Sequence, residues 1–229
     1  MKSVRGCNYN VLLVVYENVF RGNIADIGGA VYSANGQSVF FDNLFESNKA
    51  FGDTQNLGGG AFTSKGTVIV LVSNIFKNNV LQGISPSGGA LSILGTGFEG
   101  LAAAVIEGNT FESNESADGD GGAISINTVA SVFLTCNQFI SNLAQDFGGA
   151  IGIMNSDVTS RGNIYQNNNS GELGGAVSLF SSQMTSIEDV FRLNKSGVSQ
   201  SDEAKVLVLN HIKFIYVQFE ILFTIGFEQ

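Results

Sequence analysis

The residues of this chain best suited to chemistry are its carboxylates. Asp118 and Asp120 stand two apart in Asp-Gly-Asp-Gly-Gly, and acidic side chains recur just ahead of a Gly-Gly pair as Asp26, Asp120, Asp146 and Glu172. Two carboxylates held on one face can act as general acid and base, with a glycosidic bond as the natural substrate. Held closer, they either share a cation such as Ca²⁺, which takes about six to eight oxygen ligands, or splay into water. The chain has no Gly-Gly-x-Gly-x-Asp repeat, which favours water. Asp118, Asp120, Asp146 and Glu172 are the candidate acidic cation or ligand residues; no residue is assigned as catalytic or metal-binding, and no cofactor is expected.

Other reactive types are sparse. The single histidine is His211, and the only cysteines are Cys7 and Cys136. Cys136 reads as a semi-buried packing residue rather than a nucleophile.

These side chains ride on a repeat. An Asn-x-aromatic-x-x-Asn element recurs at Asn18-Phe20-Asn23, Asn43-Phe45-Asn48, Asn74-Phe76-Asn79, Asn109-Phe111-Asn114, Asn137-Phe139-Asn142 and Asn163-Tyr165-Asn168, with a seventh copy, Asp189-Phe191-Asn194, that starts with Asp. Six Gly-Gly-Ala units, starting at Gly28, Gly59, Gly88, Gly121, Gly148 and Gly174, alternate strictly with them. Successive anchors are 25, 31, 35, 28, 26 and 26 residues apart, a solenoid spacing. The repeats are rich in Val, Ile, Phe, Ser and Thr, show no heptad, and hold one proline, Pro86, so coils of short strands fit better than helix pairs.

Stacked coils, roughly 4.8 Å apart, align identical positions. Phe20, Phe45, Phe76, Phe111, Phe139, Tyr165 and Phe191 then stack inward. Asn23, Asn48, Asn79, Asn114, Asn142, Asn168 and Asn194 sit at a corner, where Asn tolerates left-handed backbone angles and its amide can bond the coils above and below. Two residues later a small side chain follows (Ala25, Ala50, Ser116, Ala144, Ser170, Ser196; Leu81 is the exception), which suits a tight turn. The residue after each aromatic should form a solvent-facing row: Arg21, Glu46, Lys77, Glu112, Ile140, Gln166, Arg192. On such a stack Cys7 and Cys136 lie at least four coils, roughly 20 Å, apart, too far for a disulfide. Glu107 and Arg161 occupy equivalent positions roughly 10 Å apart, an exposed strand face. The three Asn-x-Ser sequons, at Asn114, Asn168 and Asn194, coincide with the corner asparagines, where a glycan would conflict with the ladder.

Alternating Gly-Gly-Ala and aromatic-x-x-Asn units over roughly residues 18 to 197 resemble the repeats of the chlamydial polymorphic outer membrane proteins. The resemblance implies a right-handed parallel β-helix of the pectin-lyase-like kind, and a surface adhesin carried by an autotransporter barrel. This chain has no room for the barrel. Pectin-lyase-like folds also include polysaccharide lyases and hydrolases, but the aspartates joined by Gly-His-Gly of the polygalacturonases are missing.

Of the 229 residues, 44% are hydrophobic and 14% charged, enough for one continuous core. A net charge of −9 with 11 scattered basic residues argues against nucleic acid or an anionic membrane surface. The apolar run from Val11 to Tyr16 is too short for a signal-peptide core, so secretion would need an export signal outside this sequence, as in a piece of a larger chain. From Val206 to Phe227 glycine almost vanishes, while Asn210, His211, Lys213, Gln218 and Glu220 interrupt the apolar run. Each charge would cost about 2.5 to 3.5 kcal/mol at mid-bilayer, which argues against a transmembrane helix. A solenoid end needs a cap, and this tail is either that cap or a non-native sequence.

The expected architecture is all-β, a single-stranded right-handed parallel β-helix (solenoid) of about seven coils. It divides into an N-terminal edge (1–17), the repeats (18–200) and a hydrophobic cap or tail (201–229). Extra length enters at Asp53–Leu57, Gln82–Ser87, Gly95–Leu101 and Ser116–Gly119, and insertions in solenoids collect on one face, often the binding face. The expected function is a non-catalytic extracellular or cell-surface module, outer-membrane-associated if bacterial, that binds protein or glycan through its rod face. The alternatives are a structural spacer in a larger surface protein or a carbohydrate-active enzyme. Insertions gathered on one side favour binding over a spacer.

Overall fold

Each repeat can hide its apolar positions only by lying on the next, and this sets the architecture. The computed structural model, which describes residues 4–7, 12–52, 58–83, 88–96, 102–197, 206–209 and 212–219, is an all-β parallel solenoid of about six turns. Six replaces the expected seven because seven anchors enclose six intervals. Among the described residues there is no helix.

One turn is written by Ile124–Asn127, Ser131–Thr135, Gln138–Ile140 and Leu143–Ala144. Stacking these strands gives an eight-stranded first sheet, a 14-stranded second sheet and a seven-stranded third sheet of two-residue strands. The second sheet holds two ladders, joined where Gln183–Arg192 runs through both. Within strands burial alternates: Ser131–Thr135 buries Val132 and Leu134 and exposes Phe133.

The aromatic anchors stack as expected from Phe20 to Phe191, with ring centroids 4.6 to 5.1 Å apart and planes within 7°. Tyr165 keeps its hydroxyl 3.2 Å from Ser160 Oγ; burial, and then the Asp189 charge, push that hydroxyl's pKa well above its usual range.

Both asparagines of each repeat form ladders. Asn142 Oδ1 accepts from the Asn114 backbone N–H and Nδ2, each at 3.0 Å, while Asn142 Nδ2 donates to Asn168 Oδ1 at 2.9 Å and to the Phe111 carbonyl at 3.0 Å. The same pattern carries Asn23 to Asn194. A second ladder runs through Asn43, Asn74, Asn109, Asn137 and Asn163 to Asp189. Asn114, Asn168 and Asn194 are buried in these bonds, so a glycan there would break them.

The left-handed residue is not the asparagine but the one before it. Glu17, Asp42, Ser73, Gly108, Cys136, Gly162 and Glu188 precede the first asparagine of each repeat with positive φ, as do Gly22, Ser47, Asn78, Ser113, Ser141, Asn167 and Leu193 the second. Each non-glycine residue held there costs on the order of 1–2 kcal/mol, and the ladder bond of the next residue offsets it. The corner ahead of the first asparagine corrects the reading of Cys136: it is exposed, with φ 53°. A third corner obeys the same rule with hydroxyls in the later turns, where Ser182 Oγ accepts from Ser156 N–H and Ser156 Oγ from Val129 N–H.

The small residues after the second asparagine are not turn residues. Ala50, Ser116, Ala144 and Ser170 are the inward positions of the third-sheet strands. Leu81, the large exception, fits because Gly58 faces it; a Cβ there would lie 2.7 Å from Leu81 Cδ1. The Gly-Gly pair that follows is forced twice. Gly121 has φ 68°, and an added Cβ would meet the Ile124 carbonyl at 2.1 Å; a Cβ on Gly122 would meet the Gly149 carbonyl at 2.2 Å.

The row after the aromatics pairs in register, with Arg21–Glu46 at 2.6 Å and Lys77–Glu112 at 3.0 Å. Glu107 and Arg161 are two turns apart in one row, with Thr135 between them, and Arg161 Nε lies 3.6 Å from Glu188. Backbone pairing puts Cys7 beside Ala34 in the first turn, four turns from Cys136. Of the tail, Val206–Leu209 and Ile212–Phe219 continue the first and second sheets in parallel on Val177–Phe180 and Gln183–Arg192. His211, Asn210 and Glu220 lie outside the described residues.

Phe139→Ala should cost about 3 to 5 kcal/mol in urea unfolding, as core aromatic truncations do; a loss under about 1 kcal/mol would remove Phe139 from the stack. Asn142→Ala takes the acceptor from the buried Asn114 N–H and Nδ2, so it should cost at least about 2 kcal/mol. A cost below about 0.5 kcal/mol, typical of a surface residue, would contradict the ladder.

Candidate functional site

The strands that flank the four insertions set where each leaves the coil. Those at 53–57, 82–87 and 116–119 leave the coil at one corner, between the two-residue strands Lys49–Ala50, Val80–Leu81 and Glu115–Ser116 and the Gly-Gly pairs that follow. The one at 95–101 leaves at the next corner, between Leu91–Leu94 and Ala103–Glu107. Residues 53–57, 84–87 and 97–101 lie outside the described residues.

The same corner carries the candidate carboxylates, and the register divides them. Glu172 N–H donates to the Asp146 carbonyl at 2.9 Å and Asp146 N–H to the Gly119 carbonyl at 3.3 Å, so Asp146 and Glu172 are neighbours on consecutive turns, two residues ahead of their Gly-Gly pairs. Asp26 holds this position in the first turn and is exposed. Asp120 is one residue closer to its Gly-Gly pair, the position that Ile27, Phe147 and Leu173 take elsewhere. It is 8% exposed, whereas Asp118 is exposed. The sequence groups the four acids; a one-residue offset separates Asp120 from the others.

Room for Asp120 comes from the turn above. From the second to the seventh first-sheet strand, the second residues form the row Tyr32, Thr63, Ser92, Ser125, Gly152 and Ser178. The Gly-Gly corner of the preceding turn folds over this row and buries most of it: a Cβ on Gly59 would lie 2.7 Å from Ser92 N, and one on Gly88 2.6 Å from Ser125 N. A Cβ at Gly152 would lie 2.9 Å from Asp120 Cβ, so glycine there leaves the space that Asp120 fills. Its Oδ1 accepts the Phe147 N–H at 3.2 Å. Burial pushes the Asp120 carboxyl from an ordinary 3.8 up to about 6; the Phe147 N–H opposes the shift, and the charges of Asp146 and Glu172 add to it.

Aromatic rings border the acids. Phe51 follows the third-sheet strand of the second turn, exposed, with Lys49 Nζ 5.0 Å from its ring centre. Phe147 packs edge-on to Phe180 at 5.1 Å. An exposed ring, Phe51, and carboxylates are groups that sugar faces and hydroxyls, or a basic apolar peptide, can use. Among the described residues no three His, Cys, Asp or Glu side chains converge as metal ligands, and no helix is long and apolar enough to cross a membrane. A shallow groove of about 410 Å³ lies at a different corner, along Glu17, Asp42 and Ser73.

No protein-family model, curated protein or solved structure matches the chain.

An acid held at about 6 in the fold and 3.8 in the unfolded chain favours unfolding as pH rises. The cost is absent below 3.8, grows through that window and is complete above about 6. Asp120→Asn keeps an oxygen for the Phe147 N–H and removes the charge. The variant should exceed the parent by up to about 3 kcal/mol near neutral pH and lose that advantage below 3.8, in urea unfolding followed against pH. A difference that does not change with pH would contradict the buried carboxylate.

Proposed function

We propose that this chain is a non-catalytic interaction module of an extracellular or cell-surface β-solenoid, adhesin-like in the manner of the polymorphic outer membrane protein repeats, that binds protein or glycan through its insertion corner. One observation carries the reading: three of the four insertions leave at the corner that also bears Asp118, Asp120, Asp146 and Glu172. A spacer has no need of carboxylates gathered at the corner that takes up its extra chain.

A second reading has its own observation. Burial raises the Asp120 carboxyl to about 6 beside two further carboxylates, and glycoside hydrolysis pairs a raised acid with a second carboxylate. Its burial and its bond to the Phe147 N–H favour a structural role for the group, so binding stays first.

The test is a screen of the purified protein on glycan arrays and cell surfaces, with uronate and reducing-sugar products followed in parallel. Saturable binding without product is expected, weakened about tenfold by Phe51→Ala or Glu172→Gln and unchanged by Glu17→Gln at the distant groove. Product that disappears in Asp120→Asn would replace binding with catalysis, and binding indifferent to Phe51 and Glu172 would remove the insertion corner from the account.

A further inference from the structure

The two ends of the solenoid are chemically unlike. At every inner rung an asparagine Oδ1 accepts the backbone N–H and Nδ2 of the preceding rung, as Asn74 does from Asn43 at 3.0 and 2.9 Å. Bonds therefore run from donor to acceptor towards the C-terminal end. There the ladder that runs from Asn43 stops on Asp189, which accepts from Asn163 N–H and Nδ2 at 2.7 and 3.0 Å and has no amide to donate onward. Its other oxygen takes the Ser186 hydroxyl at 2.6 Å, and Ile212–Phe219 pairs onto that turn.

The N-terminal end has no such closure. Asn18 and Asn23 donate to Asn43 and Asn48, but among the described residues no donor reaches their own Oδ1 atoms. The edge strands Leu12–Tyr16, Val19–Arg21 and Ile24–Ala25 pair with Gln37–Phe41, Leu44–Glu46 and Lys49–Ala50 on one side. Among the described residues no strand pairs with their other side.

The core is open at this end too. Leu13, Val15 and Phe20 are only partly buried, whereas their counterparts one turn on, Ser38, Phe40 and Phe45, are buried. Outward Ile24 is 67% exposed. Val4–Cys7 pairs only within the first sheet, so it leaves the edges of the other two uncovered.

We propose that the N-terminal end is a docking surface for one further β-coil carrying Asn-x-aromatic-x-x-Asn. The coil's two asparagines donate backbone N–H and Nδ2 to Asn18 and Asn23 Oδ1, its aromatic ring stacks on Phe20, and its strands extend the second and third sheets in parallel. A second copy of this chain fits less well, because its C-terminal end offers Asp189 where a donor is needed.

The test grafts a coil onto the chain. Residues 157–176 hold Asn163, Tyr165, Asn168 and a Gly-Gly-Ala, and joining them directly ahead of Val4, in place of residues 1–3, reproduces the native Ala176–Val177 type of junction. The graft should raise the urea unfolding midpoint, resist chymotrypsin at its added tyrosine, and lose both gains when its asparagines carry Asn163→Leu and Asn168→Leu. A graft cleaved as a loose tail at an unchanged midpoint would overturn the proposal, as would equal gains from the leucine graft. A parent chain that dimerises in sedimentation, with the dimer abolished by the graft, would give the end to a second copy instead.

Discussion

A buried asparagine amide is tolerable only when its donors and acceptor are all met, and here each is met largely by the same asparagine one turn away. That constraint governs the rest of the structure. It fixes the register, since a slip of one residue would bring the left-handed corner residue into the rung and orphan two ladders at once. It also fixes where the chain bends, because the residue before each asparagine must adopt positive φ for the amide to turn inward. The aromatic stack then lies between the two ladders, and its rings superpose because the ladders already hold the turns in line.

Such a frame leaves its corners free to differ. Glu17, Cys136 and Leu193 share one backbone conformation with unrelated side chains, since the turn needs their φ and not their chemistry. Between the third and first sheets the Gly-Gly pair supplies the close approach, and extra chain enters just ahead of it without disturbing a rung. Chain length and charge vary at those corners, and stability rests where Asn, Phe and Gly do not vary.

Much of this is legible in the sequence because a repeat aligns itself: one turn of Asn, Phe and Gly-Gly-Ala, copied at a near-constant interval, fixes its own neighbours. The Arg21–Glu46 and Lys77–Glu112 pairs follow from the same counting. Less legible is whatever depends on backbone direction within a turn. Residue type points to the asparagine as the left-handed residue, yet its predecessor takes that conformation and carries Cys136 out to solvent. Asp120 groups with Asp146 in the sequence because both precede a Gly-Gly pair, although one residue of offset changes a solvent position into a buried one. The hydroxyl ladder of Ser156 and Ser182 has only a faint signal, a Ser or Thr seven residues ahead of Asn74, Asn163 and Asp189.

On this reading of the fold, the asparagine ladders open only with the whole stack. Native-state hydrogen exchange of the side-chain and backbone amides of Asn79, Asn114 and Asn142 tests it most directly. All of them should exchange with the free energy of global unfolding and with its full denaturant dependence. Exchange by a low-energy local opening that ignores denaturant, while the Phe76 and Phe111 backbone amides stay protected, would contradict it.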